Sequence, residues 1–298
     1  MTSLPNFLIL GAPRAGTTTL FRRLDAHPEI YMSPNKEPWF FALADETPRF
    51  EGPGDPQGIR REEAYRDLFA GRTHEPLAGE ASTLYLSSPI APQRIHAMIP
   101  DAKLIAVLRD PVKRAFSNFR HHRQQQREPL HDFQSAVAHI PERRQANWSP
   151  FWDYVSMGFY AAALERYRSV FPSIQLKVML YEDLLQDEMR FMEEIYAFLE
   201  VAPPPQQTEN VRVNASGQPK STWLHHFLTH KHPLKKTAKS FFPKETRSKI
   251  VTFIQNLNLK EKETISPEME SELRLTYEDD VRQLQEILGR DLEQWLPT

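Results

Sequence analysis

The residues with the plainest chemistry stand near the amino end. Within the nine positions Gly11-Ala12-Pro13-Arg14-Ala15-Gly16-Thr17-Thr18-Thr19 there are two glycines, one arginine and three threonines. That mixture suits an anion with several oxygens. Phe7 to Leu10 is a short apolar run, Gly11-Ala12-Pro13 breaks it, and helical residues resume at Thr17, so the stretch reads as strand, tight loop, helix. In such a turn the backbone N–H groups of Ala15, Gly16, Thr17 and Thr18 are expected to converge where the helix adds its positive partial charge. Gly16 permits close approach of the backbone and Arg14 adds a full charge. The expected occupant is a phosphate or a sulfate.

The spacing from Gly11 to Gly16-Thr17-Thr18 is close to the nucleotide loop G-x-x-x-x-G-K-[ST], with Thr17 in the place of the lysine. In a triphosphatase that lysine reaches the β- and γ-phosphates. Here the loop's cation comes two residues before the second glycine. The chain therefore suits a 5′-phosphate that carries something other than two further phosphates. Two alternatives stay open: a kinase that uses Arg14 instead of the lysine and needs ATP with Mg²⁺, and a nucleotide-binding protein without catalysis.

Lys36 and Glu37 precede Trp39-Phe40-Phe41 in a segment whose prolines, Pro34 and Pro38, keep it from being helical. Three consecutive aromatics are expected to anchor the segment in the core and hold Glu37 beside the cradle. A third group follows the apolar strand Lys103 to Leu108. Asp110 is a good N-cap and Pro111 a good first helical residue, which leaves Arg109 at the carboxyl end of a central strand, where open α/β sheets bind ligands. Along the ensuing helix Val112, Phe116 and Phe119 form an apolar face, with Arg114, Ser117 and His121 on another. Between Arg120 and Arg144 the chain is polar and basic, and His121 and His122, beside Arg120 and Arg123, read as part of a solvated helix, with a lip on the acceptor side as the alternative.

Pro13-Arg14-Ala15-Gly16-Thr17-Thr18 resembles the loop P-[K/R]-x-G-T-T that holds the 5′-phosphosulfate in sulfotransferases using 3′-phosphoadenosine 5′-phosphosulfate (PAPS). Many members carry lysine where this chain has Arg14. Arginine keeps the charge but does not give up a proton, so its role is electrostatic. The style of the motifs is nearest to the heparan-sulfate, carbohydrate-type and bacterial members. By that resemblance Glu37 is the general base with Lys36 as its charged companion. Arg109 and Ser117, eight residues apart, hold the 3′-phosphate, and Tyr181 lies near the adenine. The resemblance also implies a basic closing loop, matched by Ser216-Gly217-Gln218-Pro219-Lys220, which adds Gly217 and Lys220 to a donor set of Arg14, Ala15, Gly16, Thr17, Thr18 and Thr19. The segment Ala78 to Thr83 lacks the histidine base of the phenol and steroid enzymes, which points to the glutamate-dependent branch. Glu80 and Ser82 are further candidates there, and Ala81 stands where glycan enzymes often have lysine. The implied reaction is sulfuryl transfer from PAPS to a hydroxyl on a carbohydrate or small alcohol, without a metal. His226 and His230, four apart, lack a third ligand and are not read as a metal pair.

To position these residues the chain of 298 residues is expected to form one domain, 1–298. Strands at Phe7 to Leu10, Lys103 to Leu108 and Ile174 to Leu180 alternate with helices at Thr17 to Ala26, Glu62 to Phe69, Ile90 to Ile99, Gly158 to Val170, Glu188 to Glu200 and Met269 to Leu288. That alternation predicts a three-layer α/β fold, a mostly parallel sheet with helices on both faces. The net charge of −2 gives no support for nucleic-acid binding, although Val211 to Lys244 is locally basic and free of acids. There are no cysteines, hence no disulfide and no thiolate metal site. Apolar runs are too short for a bilayer and the start lacks a signal-peptide pattern, so a cytoplasmic protein is expected.

Overall fold

The computed structural model describes residues 4–43, 49–53, 58–204 and 264–298. Five strands form its sheet: β1 (Phe7–Gly11), β2 (Ile30–Met32), β3 (Leu77–Ala81), β4 (Lys103–Leu108) and β5 (Leu176–Leu180). Their order is β2-β3-β1-β4-β5, and every neighbouring pair is parallel. Phe7 to Leu10 and Leu104 to Leu108 have no solvent exposure. Because alternate residues of a strand point to opposite faces, full burial along a strand means that both faces of the sheet are covered. Gly79 lies opposite Phe7 across β1 and β3, and a Cβ there would sit 2.1 Å from the Phe7 ring. The missing side chain thus makes room for a core aromatic.

Parallel strands need crossovers, and these are helical. Helix α1 (Thr17–Asp25) follows β1, α2 (Glu62–Asp67) precedes β3, and α3 (Ala91–Met98) precedes β4. After β4 come α4 (Pro111–Gln124), α5 (Phe133–Ala138), α6 (Ile140–Gln145) and α7 (Tyr160–Arg168). Helices α8 (Tyr181–Gln186) and α9 (Glu188–Leu199) follow β5, and α10 (Pro267–Leu288) packs on α4 and α7. From β1 the chain first moves to one side of the sheet and then, with β4, to the other, so the carboxyl ends of β1 and β4 flank a topological switch point. Both strand-to-helix turns singled out in the sequence open there.

Several expectations are corrected. Strand β5 starts at Leu176, and Ile174 lies in a short 3₁₀ turn, 80% exposed, because Pro172 leads into that turn and β5 is an edge strand. Met189 faces solvent, and Phe191 takes its place on the buried face of α9. Arg114 does not share a face with Ser117 and His121: it is fully buried and donates to the Tyr154 carbonyl oxygen. His122 is also buried, stacked on Trp152 with ring centroids 4.2 Å apart, so that part of α4 is not a solvated face. The C-terminal tail docks through Leu292, Trp295 and Leu296. Among the described residues no helix is long and apolar enough to cross a membrane.

Candidate active site

The loop between β1 and α1 turns through two left-handed residues, Arg14 at φ 67° and Gly16 at φ 85°. For Arg14 this region is sparsely populated, and such backbone tends to mark functional sites. At Gly16 the reason is twofold, since a Cβ would also come within 2.7 Å of Leu184 and 2.9 Å of Tyr181. The Ala15 N–H is taken by the Ala12 carbonyl (3.3 Å) and the Thr19 N–H by Gly16 (2.9 Å). No backbone carbonyl among the described residues accepts from Gly16, Thr17 or Thr18. These are the orphan donors of a helix start, and they face the cradle. Ala15 is fully buried beneath the loop, so the cradle is narrower than the expected four N–H groups.

The two anion motifs, far apart in the chain, meet here. Arg14 Nε donates to Ser117 Oγ (3.3 Å), and Arg109 Nη1 donates to the Arg14 carbonyl (2.9 Å). The Arg109 guanidinium lies 4.8 Å from the centre of the Tyr181 ring, a cation–π contact. Arg109 is set in place by α4, whose first turn is capped by Asp110 accepting from Val112 and Lys113, and by Tyr160, whose hydroxyl donates to the Arg109 carbonyl. Arg14, Gly16, Thr17, Thr18, Thr19, Arg109, Ser117 and Tyr181 all line one cavity of about 500 Å³.

The cavity is cationic. Arg22, Lys113, Arg120, His121 and Gln124 also line it, and none of them was among the site residues read from the sequence. Helical spacing was the available signal: Arg22 lies one turn beyond Thr18 on α1, and Arg120 and His121 lie one turn beyond Ser117 on α4. The cavity's acids, Glu188 and Glu270, are paired with Arg23 and Arg274. Burial, then the charge of Arg109, lowers the pKa of Arg14 from its ordinary value, so a bound anion would relieve the strain on the pair. Burial, then Arg14, pushes His121 down to about 4, which leaves it neutral at pH 7.

Lys36 and Glu37 do not line this cavity. They sit at the carboxyl end of β3, on the far side of β1 from β4, where the Glu37 N–H donates to the Ala81 carbonyl (2.8 Å). The Glu37 carboxylate accepts from Thr83 N (2.7 Å), Trp39 Nε1 (2.8 Å) and Lys36 Nζ (2.8 Å). As expected, Trp39, Phe40 and Phe41 are buried; Glu37 and Trp39 both take positive φ, at 66° and 57°. Glu37 keeps a quarter of its side chain exposed, whereas Glu80 has none. Glu37 is thus the more accessible of the two carboxylates. Burial pushes Glu80 up to about 7, against donors from Tyr85, Ser82 and Tyr65 that pull it back. Ala81 is buried and projects no polar group. Gly217, Lys220, His226 and His230 lie outside the described residues, as does the basic segment Val211 to Lys244. Among the described residues no cluster of acids and histidines could hold a metal ion.

Comparison with known proteins agrees with this geometry. The model of the sulfotransferase family matches residues 5–205. A sulfotransferase from Alicyclobacillus acidocaldarius, solved by crystallography, is 32% identical, with a TM-score of 0.76 over 98% of this chain and 99% of that one. The human bifunctional heparan sulfate N-deacetylase/N-sulfotransferase 3 is 30% identical over 207 residues, 67% of this chain and 23% of that protein. The chain therefore spans about a quarter of the length of such curated relatives. The sulfotransferase domain from the curacin biosynthetic pathway, 14% identical with a TM-score of 0.51, shares the fold.

Proposed function

The chain belongs to the sulfotransferase family, and from that premise we propose that it moves the sulfuryl group of PAPS to a saccharide hydroxyl or amine. The observation that carries the donor reading is the junction of Arg14, Ser117 and Arg109. Two anion sites meet in one cavity, with unpartnered N–H groups on one wall and an arginine stacked on a tyrosine on the other. A ligand with a 5′-phosphosulfate and a 3′-phosphate fits that pairing. Gly16, Thr17 and Thr18 would hold the 5′ end through their N–H groups, and Arg109 with Ser117 the 3′ end. Tyr181 offers an aromatic surface between them.

In this reading Arg14 and the loop N–H groups stabilise negative charge that grows on the bridging and leaving oxygens, which is preorganised electrostatic catalysis. Glu37 accepts the acceptor's proton, with Thr83 and Trp39 fixing its carboxylate and Lys36 supplying a counter-charge. The saccharide assignment is supported by the glutamate in place of histidine and by relatives named for heparan sulfate. Calorimetric titration in chelator tests the donor site: adenosine 3′,5′-bisphosphate binds without metal, and a preference for ATP with Mg²⁺ would overturn the reading. Glu37→Gln should leave bisphosphate affinity within about twofold and lower turnover by about 10²- to 10⁴-fold. Full turnover in that variant removes Glu37 as the base.

A further inference from the structure

We propose that Glu80 is a positioning residue for Glu37, acting through the hydroxyl of Ser82 and the backbone turn at Trp39–Phe41. The proposal extends the reading of Glu37 as proton acceptor and rests on it for its catalytic meaning. Glu80 and Ser82 are two residues apart at the end of β3, so their side chains leave the strand on the same face. Both are fully buried, as are Tyr65 and Tyr85.

The direction of the hydrogen bonds is what matters. At a pH above its pKa of about 7 the Glu80 carboxylate only accepts, and the test is run there. Tyr65 donates to Glu80 Oε1 (3.2 Å) and Ser82 Oγ donates to Oε2 (3.0 Å). A hydroxyl whose proton is committed in this way presents only lone pairs to its other neighbours. For Ser82 that neighbour is a backbone N–H group: Trp39 N donates to Ser82 Oγ (3.0 Å). Glu80 thereby sets the polarity of the Ser82 hydroxyl so that it receives the Trp39 N–H of the turn that follows Glu37.

The turn also has its own restraints: the Ala42 N–H donates to the Trp39 carbonyl (2.9 Å), the Ile59 N–H donates to the Pro38 carbonyl (2.8 Å), and the rings of Phe40 and Phe41 are buried. Ser82 adds the bond to the Trp39 N–H. Glu37 and Trp39 are both left-handed non-glycine residues, a conformation that persists only where surroundings over-determine it. With the Trp39 backbone tied to Ser82, its indole Nε1 is aimed at Glu37 Oε2. Thr83, next in the chain after Ser82, holds the same carboxylate from the other side through its N–H and hydroxyl. A fully buried acid thus fixes the more accessible one.

Glu80→Gln is the informative variant, because an amide has the same shape but offers one acceptor and one donor. It cannot receive from both Tyr65 and Ser82: with its NH2 toward Ser82, that hydroxyl must turn its proton against the Trp39 N–H. Because the NH2 can face Tyr65 instead, Ser82→Ala, which removes the acceptor of that N–H outright, is measured beside it. The test uses the full chain, labelled with ¹⁵N on tryptophan, with the Trp39 indole signal assigned by Trp39→Phe. In Glu80→Gln and in Ser82→Ala the Trp39 indole resonance should shift and its hydrogen-exchange protection fall about tenfold, the equivalent of one ordinary hydrogen bond, while the other four indoles and the bisphosphate affinity stay unchanged. Ser82→Ala carries the test if Glu80→Gln fails to fold. An unmoved Trp39 signal in a folded variant, or equal changes at all the indoles, overturns the proposal. Turnover of Glu37→Gln is a separate reading. If that variant retains full turnover while the Trp39 signal responds to Glu80, the base assignment falls and the positioning role stands.

Discussion

Replacing Arg109 with alanine removes three interactions that the structure separates. The side chain donates to the Arg14 carbonyl at 2.9 Å, lies 4.8 Å from the Tyr181 ring centre, and turns its remaining N–H groups to the cavity. A nucleotide with a 3′-phosphate would lose a charge-assisted hydrogen bond, about 1.5–3 kcal/mol, which is about 10- to 150-fold in affinity. A nucleotide with only the 5′-phosphate loses no direct contact. It feels only the loosened Arg14 carbonyl, a loss that the 3′-phosphorylated nucleotide shares. Calorimetry with adenosine 3′,5′-bisphosphate and with adenosine 5′-monophosphate should therefore show losses that differ by about 10- to 150-fold. Arg109→Lys, which keeps charge without the planar fork, should fall between the parent and the alanine variant. Equal losses for the two nucleotides would refute the assignment of Arg109 to the 3′ end and leave it as a support for the loop alone.

Gly16→Ala places a methyl at φ 85° and within 2.9 Å of Leu184 and Tyr181. The left-handed backbone costs about 1–2 kcal/mol and the overpacking about 1–3 kcal/mol, so urea denaturation should show a loss of about 2–5 kcal/mol together with weakened bisphosphate binding. A loss below about 1 kcal/mol would contradict the turn described here. The pH dependence of stability follows from His122, pushed down to about 3 by burial first. Its ordinary pKa near 6.5 applies to the unfolded chain, so the unfolded state binds the extra proton as pH falls. The stabilisation is complete above pH 6.5 and is lost progressively towards pH 3, by up to about 5 kcal/mol. Glu80, pushed up to about 7, works in the opposite direction: its contribution is full below pH 4.5 and is lost as pH rises through 7. Comparing the parent with His122→Phe cancels the Glu80 contribution, and urea midpoints between pH 7 and pH 4 should fall less in the variant. Parallel slopes would show that His122 is not held neutral.

Local chemistry made much of the site legible. The break at Gly11-Ala12-Pro13, the orphan N–H groups of a helix start and the capping pair Asp110-Pro111 are written in adjacent residues, and the structure has them where adjacency puts them. Less legible were features that depend on which side of a helix faces the sheet. Arg114 and Ser117 are three residues apart, yet Arg114 points into the protein beside Tyr154 and Ser117 into the cavity. Helical periodicity defines angles between side chains but not which of them the neighbouring elements cover. Ile174 illustrates the same limit for strands, since alternation alone does not reveal that β5 is the sheet's edge.

By itself the sequence determined the parts that need only neighbours along the chain: a phosphate-type turn after β1, a second basic turn after β4, and an aromatic segment behind Glu37. Tertiary structure alone decided that Arg14 meets Ser117 and Arg109, because that contact spans about a hundred residues and exists only when β1 and β4 lie side by side at the switch point of the sheet. It also decided the division between the two buried-segment acids. Glu37 and Glu80 are both glutamates near aromatic residues, and only packing sets one at the surface with its carboxylate held by Thr83 and Trp39, and the other in the core, where desolvation and three hydroxyls determine what it can do.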